Sequence, residues 1–278
     1  MSLPRLTLFE AGASQALDAL AHRGGSLRHI RFPAMFALIE HPTAGPILFD
    51  TGYSHRFEEE TRVLPAKLYA LITRVTVTDD ELAVARLARR GLQPSDVRTV
   101  VISHFHADHI GAIAMFPRAK YRFTRAAWDG VRHLRGVRAV AAAFLPGLLP
   151  ADFDERAQPI DADPEVNLPS ELAPFRRGID LVGDGTVVAV SLPGHAHGQI
   201  GLVVRHEGGL TFLVADACFT SRAFTEGVLP SRITKILHPD QREYEATIER
   251  IGAVYRSAPD VFIVPSHCTE ALARHGTP

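Results

Sequence analysis

The sequence predicts an α/β fold made of two similar halves, and three observations predict it. Short β-rich runs alternate with helical patterns along the 278 residues. One run in each half closes on an aspartate: P-I-L-F-D-T-G on Asp50 and L-T-F-L-V-A-D-A on Asp216. One apolar run in each half leads into a histidine: V-V-I-S-H into His104 and V-F-I-V-P-S-H into His267. Two such halves facing each other would bring all four tips to one edge, which locates a site.

In the first half, Phe32 to Glu40 and Pro46 to Asp50 read as strands joined by a turn at H-P-T-A-G. T-D-D-E at 78–81 makes a capping box and opens a helix expected to run to Gly91, a C-terminal stop. Val97 to Ser103 is an apolar run of the buried-strand kind. In the second half, Val187 to Leu192, Ile200 to His206 and Leu210 to Ala215 read as strands, with Gly208-Gly209 as a tight hairpin turn. Gln241 to Arg256 has a helical pattern, and Val261 to Val264 is a further buried strand. Residues 53–77 and 128–175 read as cap segments added to a single domain spanning 1–278. No low-complexity linker sets either apart.

Hydrophobic residues make up 46% and charged residues 22%, the composition of an ordered globular chain. A formal charge of -1 supplies no global field for nucleic acid, so no nucleic-acid partner is expected. Arg86, Arg89 and Arg90, like Arg132, Arg135 and Arg138, read as solvated helix faces. Cys218 and Cys268 form no disulfide framework and no C-x-x-C motif, and both read as structural. The N-terminus lacks the basic and apolar regions of a signal peptide. The most apolar run, A-V-A-A-A-F-L-P-G-L-L-P, is too short and too proline-broken to span a bilayer. A cytoplasmic protein is expected.

The chemistry is concentrated in S-H-F-H-A-D-H, residues 103–109. His104, His106, Asp108 and His109 are all residue types that can bind a metal, and buried polar groups are seldom crowded together without a partner. Four residues of one loop cannot complete two four-ligand sites, so other strand ends must contribute. The candidates are His195 in L-P-G-H-A-H-G, Asp216 and His267. Lone histidines such as His22, His29 and His41 read as surface or core residues, and His197 as solvent-facing or as a support for the ligands.

H-x-H-x-D-H, followed by a Gly-His, a strand-end aspartate and a later Ser-His, resembles the metallo-β-lactamase superfamily from Asp50 to His267, in the family's order. The resemblance implies a four-layer αβ/βα sandwich, two facing mixed sheets with helices outside and the site at one edge. It implies that His104, His106 and His195 bind one metal, that Asp108, His109 and His267 bind another, and that Asp216 bridges both. Asp50 would orient a ligand histidine from behind. Two divalent ions are implied, zinc first, with iron or manganese as alternatives. A hydroxide shared by them would attack an acyl carbon or phosphorus at neutral pH, with Asp108 taking or relaying the leaving group's proton.

Within the superfamily, the layout is similar to the acyl-homoserine-lactone lactonases and related lactone hydrolases. Those enzymes carry a tyrosine three residues after the bridging aspartate, where this chain has Phe219. Phe219 can line a pocket but has no hydroxyl to offer; Tyr53 and Tyr69 are the candidate replacements. The apolar cap residues suit a small molecule with an acyl or aromatic part. The expected reaction is therefore hydrolysis of a carboxylic ester, lactone or thioester. A mononuclear iron thiol or persulfide oxidoreductase and a phosphodiesterase are the alternatives. A homodimer through the cap surfaces is a further expectation, without a direct sequence signal.

Overall fold

The computed structural model describes residues 2–229, 231 and 240–275. In the first half, β1 (Arg5–Leu17), β2 (His29–His41), β3 (Gly45–Phe49) and β4 (Arg74–Thr76) are followed by β5 (Thr99–Val101), β6 (Lys120–Phe123) and β7 (Ala157–Pro159). They form one mixed sheet in the order β4-β1-β2-β3-β5-β6-β7. In the second half come β8 (Glu165–Asn167), β9 (Arg177–Asp180), β10 (Val187–Ser191), β11 (Ile200–His206), β12 (Gly209–Ala215) and β13 (Val261–Pro265). These form the other sheet, β13-β12-β11-β10-β9-β8.

Strand alternation explains why the central strands are apolar on both faces. Met35, Ala37 and Ile39 of β2 face Leu202, Leu213 and Val264 of the other sheet in one inter-sheet core. The intervening Ala34, Phe36 and Leu38 pack outward with Leu87, Ile110 and Phe144. On the other side, Phe212 and Val214 meet Tyr244, Ile248, Ile251 and Val254 of the helix Gln241–Ser257. The four layers are thus helices, sheet, sheet and helices, as the resemblance implied. Asp240 caps that helix by accepting from the amides of Arg242 and Glu243 at 2.9 and 3.0 Å.

The two halves share a device. In each, a hairpin strand is followed by a parallel neighbour: β3 beside β5, with Phe49 opposite Val101, and β12 beside β13, with Ala215 opposite Pro265. The chain leaves both hairpin strands through a left-handed residue, Asp50 (φ 60) and Ala215 (φ 48). Such a φ is uncommon outside glycine and costs about 1–2 kcal/mol. Here it turns the two acids out of their sheets towards the common edge.

Several local expectations are corrected. The capping box is present, with Glu81 accepting from the Thr78 amide at 2.8 Å. It opens only a 3-10 turn, because Leu82 is extended (ψ 140); a separate helix covers Ala83–Ala88. Gly91 does adopt φ 76 just beyond it. The buried run Val97–Ser103 yields three strand residues. The hairpin turn is Glu207-Gly208, since His206 already pairs with Gly209. The longest omission is β1, whose alternation is broken by a bulge between Glu10 and Ala13 around Gly12 (φ 75).

Residues 53–77 hold helices Arg56–Glu60 and Ala66–Ile72 and end in β4. Both ends of this segment rest on β1: the Tyr53 amide donates to Ala11 O at 2.9 Å, and Thr76, Val75 and Arg74 pair with Ala13, Ser14 and Gln15. Residues 128–175 carry helix Gly136–Ala141 and then β7 and β8, at one edge of each sheet. The segments touch, Ala66–Ile72 against Gly136–Ala141, and Arg56 reaches the carbonyl of Gly147.

Gly194 (φ 121) lets the turn before His195 lie directly on the backbone of Tyr244. A methyl group there would overlap that backbone, so Gly194→Ala is expected to cost about 2–3 kcal/mol in urea unfolding. A loss below about 0.5 kcal/mol would show that the turn adjusts freely.

Candidate metal centre

His104 leaves the sheet just after β5, and His106 precedes a one-turn helix, Ala107–Ile110, that carries Asp108 and His109. The expected plain loop is therefore a loop and a helical turn, which splays the four side chains. Gly111 closes it where a Cβ would strike Gly52 O and the Tyr53 backbone. His195 enters from the β10–β11 turn, Asp216 from the end of β12 and His267 from the end of β13.

All seven residues converge in two groups, His104, His106, His195 and Asp216, and Asp108, His109, Asp216 and His267. Within each group one ligand atom per residue lies within 4.8 Å of the others, and Asp216 belongs to both. His195 Nε2 lies 3.1 Å from His106 Nδ1 and 3.4 Å from Asp216 Oδ2. His267 Nε2 lies 3.1 Å from Asp216 Oδ2 and 3.3 Å from Asp108 Oδ2. His109 Nε2 faces Asp216 Oδ1 at 3.3 Å.

The rear atoms are fixed. Asp50 accepts from the Ser103 amide and hydroxyl, each at 2.8 Å, and from His109 Nδ1 at 2.7 Å. With its proton committed to Asp50, the Ser103 hydroxyl accepts from His104 Nδ1 at 3.0 Å. His267 Nδ1 donates to Pro33 O at 2.7 Å. These contacts assign the rear protons and turn each Nε2 inward. There, His104 Nε2, His109 Nε2 and Asp216 Oδ1 are buried without a hydrogen-bond partner. Buried orphan atoms of this kind are costly, and nitrogen and carboxylate donors in groups of four are what a divalent ion takes. The residues fit metal ions.

The electrostatics agree. Burial and the neighbouring His109, His106 and His195 hold His104 well below the usual histidine range, neutral and ready to donate its lone pair. Against the desolvation of burial, Asp108, Asp50 and Asp216 raise His109, and Asp216 chiefly raises His267 to about 9. Despite burial, His267 and His109 hold Asp216 well below the carboxylate range. Burial raises Asp50, opposed by His109. Among the described residues, every ion pair of Asp108 and Asp216 is with a histidine.

Around the centre, Phe219 sets its ring 5.6 Å from that of His195 and 5.9 Å from that of His267. Tyr53 and Tyr69 are buried and linked through Phe57; burial, then the charge of Asp108, raises both phenols, so they stay protonated. Cys218 and Cys268 are buried free thiols outside both groups. Burial pushes the Cys218 thiol up, which suits a structural role. His197 is exposed and packs on Gly130. His22 and His41 are buried with their own partners, Asp18 and Asp184. Sequence reasoning missed Ser103, although its place before His104 in the motif was a signal. It also missed Phe32, 5.9 Å from the His267 ring, and Pro33 O, which only the sheet brings near.

A fold of this kind, closed at one edge by two linked histidine–aspartate groups, defines a metallo-hydrolase. The chain belongs to the metallo-beta-lactamase superfamily, whose family model matches residues 31–254. It is 28% identical over 262 residues to the N-acyl homoserine lactonase AttM of Azorhizobium caulinodans, covering 90% of each chain. It is also 28% identical to the probable metallo-hydrolase Rv2300c of Mycobacterium tuberculosis, over 80% of this chain and 71% of that one. Among solved structures, an N-acyl homoserine lactone hydrolase with N-hexanoyl-L-homoserine bound at its catalytic metal center superposes with TM-score 0.74 at 21% identity. The match covers 99% of this chain and 97% of that one. AidC, a dizinc quorum-quenching lactonase, gives TM-score 0.64 at 14% identity over 97% and 90%.

Ser103→Ala removes the acceptor behind His104 and is expected to weaken metal binding about 10–100-fold, while Ser103→Thr keeps it. Competition with a chromogenic chelator measures both; equal affinity of the alanine variant and wild type would remove the role given to the hydroxyl. In chelator-treated protein, His267 is raised from 6.5 to about 9. Its contribution to stability is therefore full below pH 6.5 and lost as pH rises through 9. Urea midpoints of the metal-free protein are expected to fall across that window, and a flat profile would contradict the assignment.

Proposed function

We propose that this chain is a dinuclear metal-dependent hydrolase of a carboxylic ester, lactone or thioester, acting on a small molecule with an apolar acyl or aromatic part. The observation that carries this reading is Asp216, shared by two groups of inward-facing donor atoms, among which His104 Nε2, His109 Nε2 and Asp216 Oδ1 are buried without a hydrogen-bond partner. His104, His106 and His195 would hold one ion and Asp108, His109 and His267 the other, with Asp216 common to both groups. Two divalent ions, zinc first, supply an activated water at neutral pH and stabilise the negative charge that develops on the acyl oxygen.

The chain's own residues do the rest. Asp50 and Ser103 keep the histidines in the donor tautomer. Asp108, beside His267 Nε2, carries the proton to the leaving oxygen or sulfur. Phe219 and Phe32, whose ring centroids are 6.3 Å apart, exclude water on one side. Tyr53 and Tyr69, both protonated, are candidates for the role that Phe219 cannot fill, as is Tyr244, whose ring lies 5.8 Å from that of His195 and 6.5 Å from that of Phe219. An acyl group is favoured over a phosphodiester because the carboxylates pair only with histidines among the described residues, with no arginine or lysine beside them to hold a phosphate. Residues 1–278 are read as a single domain, with 53–77 and 128–175 as its cap. The lactonase names of the relatives support the substrate class.

Zinc-loaded protein is expected to release acid from a long-chain acyl homoserine lactone, an acyl thioester or an aryl ester in a pH-stat. Chelation or His109→Ala should lower the rate about 100-fold or more. Phe219→Tyr sorts the substrates, raising lactone turnover if the missing phenol limits it. Turnover of a phosphodiester alone, or activity unchanged by chelation, would sink the proposal.

A further inference from the structure

Two stretches of the chain contain no acidic residue, 61–77 and 130–151, although the protein as a whole carries a formal charge of -1. The first holds Arg62, Lys67 and Arg74, the second Arg132, Arg135 and Arg138, all exposed. Among the described residues, Arg132 alone of these pairs with an acid, Asp129 at 2.9 Å. Acids flank both stretches: Glu58, Glu59 and Glu60 precede the first and Asp79 follows it, paired with His55, while Asp129 and Asp152 bound the second, paired with Arg132 and Arg156.

The same two stretches are unusually apolar at the surface. They supply six of the nine large hydrophobics exposed among the described residues: Val63, Leu64, Leu68, Leu71, Ile72 and Val137, each 50–74% exposed. Leu68, Leu71, Ile72 and Val137 sit on helices Ala66–Ile72 and Gly136–Ala141, which pack against each other, and Val63 and Leu64 lie just before the first of these. A single exposed leucine needs no explanation, but six large exposed apolar residues sharing two acid-free stretches with six basic ones do.

We infer that this face docks on the surface of an anionic lipid bilayer, with the apolar side chains in the headgroup boundary and the arginines on lipid phosphates. Apolar residues set among Lys and Arg on a short helical surface are the pattern that lies in a membrane interface. Charge decides against a second copy of this chain. A two-fold contact through this face would bring each cationic patch against its own image. Tyr69 sits on the helix that presents Leu68, Leu71 and Ile72 outward, and its own buried ring anchors that helix to the core. The inference concerns binding alone and stands whichever ester the centre cleaves.

The test is sedimentation of the full-length protein with vesicles of phosphatidylcholine alone or with about 30% phosphatidylglycerol. The anionic vesicles are expected to bind about tenfold or more tightly, and about 0.5 M salt should return binding to the neutral level. Leu68→Ser/Ile72→Ser and Arg62→Glu/Arg138→Glu should each reduce binding about tenfold or more, with melting temperatures unchanged because all four sites are exposed. Equal binding to both vesicle types, or none to either, overturns the inference. So does a dimer in sedimentation velocity that Leu68→Ser/Ile72→Ser dissolves, since a second copy would then cover the face.

Discussion

Asp50 accepts three hydrogen bonds, two from Ser103 and one from His109, and through them the tip of β3 is fixed to the loop that leaves β5. Both strands end there, and the Thr51 amide and hydroxyl add two further bonds to the carbonyl of His109. The carboxylate is fully buried, so each of those bonds is worth more than its equivalent in water, and losing one would expose a costly orphan. One donor in each metal group, His104 and His109, takes its orientation from this network. The strained φ of Asp50 is the local cost of bringing the carboxylate inward.

The centre holds more negative charge than its surroundings balance. Asp50, Asp108 and Asp216 lie together in a low-dielectric pocket with histidines as their only described ionic partners. Protons on His109 and His267 offset part of this charge in the metal-free chain, and a divalent ion would displace them. Folding and metal uptake therefore draw on the same groups. A site organised to bind cations is unfavourable when empty, the usual relation between a functional cluster and the stability around it.

Much of this was readable in advance. The strand tips at Asp50, His104, Asp216 and His267 followed from apolar runs that stop at a polar residue, a signal the inter-sheet burial makes strong. The seven candidate ligands came from residue chemistry and order, and the structure brings all seven together. What escaped notice had a physical reason in each case. A bulge at Gly12 broke the alternation of β1, and strands of three or four residues, such as β6 and β8, are too short for a period to emerge. Leu82 interrupted a helix whose cap was correctly placed, because a cap fixes a start and not a length. Phe32 and Pro33 O reach His267 through sheet pairing, which no local pattern encodes.

The segment after Gly52 leaves from beside Ala11 and returns as β4 beside Ala13, so both its ends are held by one strand. Its closure is already fixed by the sheet, and lengthening such a loop twofold adds only about 0.6 kcal/mol of entropy. The stretch that supplies Tyr69 and the exposed apolar face can therefore be extended with little entropic penalty to the sandwich, provided Phe57 and Tyr69 stay in the core. Selection can rewrite what approaches the metals while the metals' own ligands, rooted in the opposite strand ends, stay in register.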